Sequence, residues 1–176
     1  MTQSKQLEDR LQKLRNEFDR SFAIAVDDAR VDYVDFLAIR LAGDSYVLRL
    51  SEVSSLHIDR RLTPAPSELS ELRGIAGFRG VLTPVYDLGA LLGYAATPMA
   101  RWLCVARASA PIAFLFESFE SHLRLAPERI SSGNGSKHAI GGTVQTDSAA
   151  IPLLDLPLLI AGIAARIKAS GPSQER

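Results

Sequence analysis

The chain has 176 residues, 47% hydrophobic and 23% charged, the balance of a soluble globular protein of one domain or two small subdomains. Twenty Lys and Arg against twenty Asp and Glu leave no formal net charge, which excludes the basic excess of a nucleic-acid binder. A single cysteine, Cys104, excludes an internal disulfide, and three scattered histidines, His57, His122 and His138, with no cysteine pair beside them, offer no zinc site.

In chain order, residues 3–22 predict an amphipathic helix. Leu7, Leu11, Leu14, Phe18 and Phe22 fall on one face, and mixed charge covers the rest. About two heptads are too few for a stable coiled coil. Three roles stay open for this segment: a helix docked on its own domain, a partner-binding or self-associating helix with Leu7, Leu11, Leu14 and Phe18 as its contact face, or a frayed arm. The charged start carries no secretory signal. The most apolar stretch, residues 149–165, is interrupted by Asp155 between Pro152 and Pro157 and falls short of the ~20 residues that span a bilayer. A cytoplasmic protein is therefore expected.

From Val34 the texture changes to strands. Residues 34–41 and 46–50, around the turn Ala42-Gly43-Asp44-Ser45, predict a hairpin. Residues 63–67, Thr-Pro-Ala-Pro-Ser, predict a rigid loop, and Glu68–Leu72 one helical turn. Next comes the densest glycine pattern, Gly74-Ile-Ala-Gly77-Phe-Arg79-Gly80, followed by Val81-Leu-Thr-Pro84-Val-Tyr-Asp87-Leu88. The glycines predict a turn, and the run after them a buried strand placed at an edge or bulged at Pro84. A dinucleotide fingerprint would need a helix where this strand stands.

A helical turn stopped by Gly93 is expected next. Two buried strands, 102–106 and 112–116, then place Cys104 as a packed core thiol. A strand at 119–125, a mobile loop at 131–137 and a strand pair at 139–146 and 149–154 follow. Asp155 before Leu-Pro starts a last helix whose apolar face is Leu159, Ile160, Ile163 and Ile167.

The stretch GIAGFRGVLTPVYDLGALLG resembles the signature of CheW-like domains. Gly74, Ile75, Phe78, Arg79, Gly80, Val81, Leu82, Pro84, Val85, Asp87 and Leu88 fit that signature, while Gly77 stands where the family usually has Asn. The opening at 34–56, with Val53 and Leu56 as a hydrophobic step, and the Leu-Leu-Asp-Leu ending extend the likeness over about residues 34–165.

The resemblance implies a mainly β fold. Two small SH3-like five-stranded β-barrels would surround a shared core and be followed by a C-terminal helix, with the N-terminal amphipathic helix predicted above lying outside the likeness. The expected organisation is an N-terminal helix and linker at 1–33, the CheW-like domain at 34–168 and a disordered tail at 169–176. It further implies a non-catalytic adaptor without cofactors or metal, which couples the cytoplasmic tip of chemoreceptors to the regulatory domain of the histidine kinase CheA. Val53 and Leu56 would face the receptor helix in a groove between the barrels, and Arg79 would serve the coupling, presented by Gly74, Gly77, Phe78 and Gly80.

No nucleophile elbow or local Ser, Cys and His arrangement argues for an enzyme. Asp87 and Asp155, each at a strand end, are expected to cap the helical turns that follow. Two other readings share these residues: a CheW-like scaffold of a non-flagellar system docking through the N-terminal helix, and a small-molecule-binding β-barrel.

Overall fold

A computed structural model of the protein describes residues 32–95, 99–133 and 139–170. The amphipathic segment with Leu7, Leu11, Leu14, Phe18 and Phe22 lies outside the described residues, as does the end of the chain from 171.

The first hairpin pairs β1 (Val34–Leu41) with β2 (Asp44–Arg49). Its turn is shorter than expected, because Ala42 and Gly43 both take positive φ and close the strands in two residues. A single turn of 3-10 helix, Leu50–Glu52, then carries the chain to β3 (Val53–Ile58) in a different sheet. There it meets β4 (Leu72–Phe78), β5 (Val81–Asp87), β6 (Trp102–Ala106) and β7 (Ala113–Phe116). After the short helix α1 (Leu88–Leu91) that follows β5, and the return through β6 and β7, the chain re-enters the first sheet. It does so as β8 (Ser118–Leu125), β9 (Ile130–Ser132), β10 (Ile140–Gln145) and β11 (Ala150–Leu154). The helix α2 (Leu156–Ser170) ends the described chain.

The two sheets run β8-β1-β2-β11-β10-β9 and β3-β6-β7-β5-β4. The mainly β fold expected from the resemblance is thus present; where two five-stranded barrels are expected, the strands form two sheets, one of six strands and one of five. The sixth is β9, whose Ser131 and Ser132 pair with Thr143 and Gly142 instead of opening a loop. The second sheet is an insertion into the first, whose strands come from both sides of it and meet in the parallel pairing of β2 with β11.

This topology explains the near-continuous apolar runs. In β1, Leu37, Ile39 and Leu41 join a core shared with the second sheet, while Phe36 and Ala38 pack inside the first. The second sheet has its own interior of Ala76, Phe78, Val85, Leu103, Ala113 and Leu115. Between the sheets lie Leu48, Phe114, Phe116, Cys104, Leu154, Leu156 and Ile163. Each fully buried large apolar side chain there stabilises the fold by roughly 1.5–3 kcal/mol.

Three local expectations differ. Glu68–Leu72 is a reverse turn, with Leu72 N donating to Leu69 O at 3.1 Å. Pro84 lies in β5, between β4 and β7, rather than on an edge, and it faces Ile75, while the bulge is further along β4, between Leu72 and Gly74, opposite Tyr86 and Val85. Proline is tolerated because the ladder to β7 begins one residue later, at Val85. In α2, Leu156, Leu159 and Ile163 are buried but Ile167 is 49% exposed, and described side chains after Ile163 face solvent. The helix also runs past the expected boundary at 168.

Candidate functional site

The glycine-rich stretch is a strand and the start of a hairpin rather than one long turn. Gly74 and Gly77 lie within β4, and only Arg79 and Gly80 make the turn to β5, closed by the pair Phe78 and Val81. Both turn residues have positive φ, +49° at Arg79 and +82° at Gly80, the mirror-image turn whose twist suits a hairpin. An arginine with a side chain held in that region is uncommon. It is exposed, and among the described residues no carboxylate lies within ion-pair distance of it.

The three glycines do different work. At Gly74, with φ at +140°, a Cβ would stand 2.4 Å from Thr63 O. That close approach lets Thr63 and Ile75 exchange two backbone hydrogen bonds, of 2.9 and 2.8 Å, strapping the proline loop to β4. Gly80 serves the turn. At Gly77 a Cβ would meet nothing within 4 Å, so the departure from the family's Asn opens no packing defect.

Of the remaining residues assigned to partner binding, Phe78 is buried in the interior of the second sheet. Val53 is 5% exposed and belongs to the shared core, so its side chain presents little surface to a partner. Leu56 is half-buried against the same core. An apolar groove of about 290 Å³ does exist, but Leu91, Leu158, Leu159, Gly162 and Ile163 line it, alongside α2, and neither Val53 nor Leu56 is among its lining residues.

The hairpin tip gathers other groups. Val81 and Leu82 are exposed beside Arg79, Leu82 at 75%. His57 on β3 places its ring 4.7 Å from that of Phe78, with Arg60 Nη2 3.4 Å from Nδ1 and Ser55 Oγ 3.0 Å from Nε2. Burial first, then the charges of Arg60 and Arg79, hold His57 below the usual imidazole range. Ser55 and Arg60 are neighbours of His57 in the sequence, but no local signal marks its contact with Phe78, which comes from the opposite edge of the sheet.

The two strand-end carboxylates bind backbone. Asp87 Oδ1 accepts from Ala90 N at 3.0 Å, and its Oδ2 stands 3.7 Å from Arg73 Nη1. Asp155 Oδ1 accepts from Leu158 N at 2.8 Å. Sequence reasoning missed a second carboxylate at that helix start: Glu52, from the 3-10 turn, accepts from Leu156 N at 3.1 Å. Burial raises the Glu52 carboxyl above its ordinary range. The Cys104 thiol is enclosed in the shared core, where burial pushes it up to about 12, so it stays un-ionised at neutral pH. Among the described residues no three His, Cys, Asp or Glu side chains group to hold a metal, and no helix is long and apolar enough to cross a membrane.

Three comparisons with known proteins bear on this geometry. The model of the CheW-like domain family matches residues 35–164. The chain is similar in fold to the scaffolding protein TtCheW from Thermoanaerobacter tengcongensis, with a TM-score of 0.65 at 19% identity, over 72% of this chain and 92% of that one. No curated protein matches.

Proposed function

The chain belongs to the CheW-like domain family, a family of non-catalytic scaffolds, and from that membership we propose that it is an adaptor that couples chemoreceptors to the histidine kinase CheA in a bacterial chemosensory array. It would work in the cytoplasm, held at the membrane through its partners. The observation that carries this reading is the Arg79 turn. A cation with no carboxylate partner among the described residues sits on a two-residue hairpin turn, beside the exposed apolar pair Val81 and Leu82.

Such a surface suits a protein partner. A guanidinium makes forked hydrogen bonds to carboxylates or to the carbonyls of a helix end. The flanking apolar side chains supply area that water leaves on association.

The test is a titration of the full chain against the regulatory domain of a CheA from the same cell, and separately against a receptor cytoplasmic tip. Saturable binding at micromolar concentration or tighter is expected with one or both. Arg79→Glu should keep the fold and weaken that binding by roughly 1–3 kcal/mol, the scale of a charged hydrogen-bonding anchor. A folded Arg79→Glu protein that binds both partners as tightly as the parent would take Arg79 out of the interface.

A further inference from the structure

We propose that His57 is the positioning residue of the Arg79 turn: its ring, lodged between edge strand β3 and the end of β4, fixes where the turn sits. This rests on the assignment of Arg79 to the partner surface and adds what controls it.

β3 and β4 are the two outer strands of the second sheet, and no backbone ladder joins them. Where they approach each other, the His57 and Phe78 rings meet at 4.7 Å with a 45° tilt. Phe78 immediately precedes Arg79 and anchors the turn into the interior. The imidazole therefore ties the hairpin tip to a strand that cannot hold it by hydrogen bonds.

The ring's own orientation is set at both nitrogens. Arg60 Nη2 is a pure donor, so Nδ1 facing it at 3.4 Å acts as acceptor, and Nε2 carries the proton it donates to Ser55 Oγ at 3.0 Å. That is the neutral imidazole. A proton added at Nδ1 would turn the acceptor into a donor aimed at a guanidinium, within reach of a second cation at Arg79. Among the described residues nothing around the ring compensates for it. The residue paired with His57 on β6 is Leu103, the β4 neighbour is Phe78, and the closest acid in sequence, Asp59, is held by Arg101. Acidification should thus displace the wedge and loosen the turn.

Two measurements decide the proposal. The first uses the full chain alone: hydrogen exchange at the Phe78 and Val81 amides, the pair that closes the turn. In His57→Ala these should exchange several-fold faster while the core strand amides of Cys104 and Phe114 keep the parent rates. His57→Phe, which retains a ring but no titration, should restore slow exchange. Unchanged rates at the turn in His57→Ala, or equal acceleration at the core amides, would overturn the assignment.

The second is a double-mutant cycle read by titration against the CheA regulatory domain. His57→Ala should weaken binding about three- to tenfold when Arg79 is present and leave it unchanged in an Arg79→Ala background, since coupled residues are not additive. Equal losses in both backgrounds would reduce His57 to a folding residue. Between pH 7.5 and 5.5 the parent should lose affinity relative to His57→Phe, and parallel profiles would remove protonation from the account. If the parent binds no kinase domain, the adaptor reading fails while the exchange measurement still judges His57.

Discussion

Asp87 illustrates how much one side chain can decide. It is 2% exposed, it spends one oxygen on the first turn of α1, and its other oxygen faces Arg73. Replacing it with Ala removes the cap and should lower stability by about 1–2 kcal/mol in urea unfolding, with Asn, which keeps an acceptor, losing less. The glycines supply a sharper contrast. Gly74→Ala forces a Cβ against Thr63 O at positive φ and should destabilise by more than about 2 kcal/mol, whereas Gly77→Asn enters open space and should change stability by less than about 0.5 kcal/mol. Equal melting temperatures for the two variants would contradict this division of labour. Val53→Asp, which the resemblance alone would cast as a receptor-binding change, should instead unfold the protein, because it places a carboxylate without a partner in the shared core.

At the scale of elements, α2 is fastened by charge as much as by packing. Glu52 and Asp155 serve its first turn, and Arg166 Nη1, in its C-terminal third, donates to Glu71 Oε1 at 2.8 Å. The Arg166 hydrogen bond holds the Glu71 carboxyl below its ordinary value of 4.5. Its contribution is therefore fully present above that value and is lost as pH falls through the lowered one. Glu52 has the opposite sign: its raised carboxyl favours the folded state most at acidic pH, and that contribution fades as pH rises through the raised value. Stability measured from pH 7 to pH 3 should accordingly fall less steeply in Glu71→Gln and more steeply in Glu52→Gln than in the parent. Identical slopes in all three proteins would detach both groups from the acid response.

For the whole molecule, the decisive feature is that the second sheet interrupts the first and shares a core with it. Phe114 lies in that core, fully buried. Phe114→Ala should cost about 3–5 kcal/mol and lower both sheets together in a single unfolding transition, followed by far-UV and Trp102 signals alike. Two separated transitions would mean that the sheets are independent domains. Residues 1–30 can be tested in the same frame, since the chain from Tyr33 onward forms one compact unit. Removing them should leave kinase-domain binding in place, and loss of binding on truncation alone would move the partner site to the Leu7, Leu11, Leu14 and Phe18 face.

The sequence by itself determined the strands β1, β2, β5 to β8, β10 and β11, but not β3, β4 or β9, together with the helix starts at Asp87 and Asp155, the stop at Gly93 and the likeness to CheW-like domains. These are local signals: β-branched runs, glycine and proline punctuation, and carboxylates three residues before the amides they cap. Only the tertiary structure decided which sheet each strand joins, that β9 adds a sixth strand, that Val53 is interior, and that Glu52 and His57 touch elements distant in the chain. The physical reason is that a pattern of apolar residues records that a face is buried without recording against what. A run such as Val34–Leu41, apolar on both faces, is equally compatible with many neighbours. Its two faces acquire separate partners only when the chain returns through β8 and β11 and closes two cores on it.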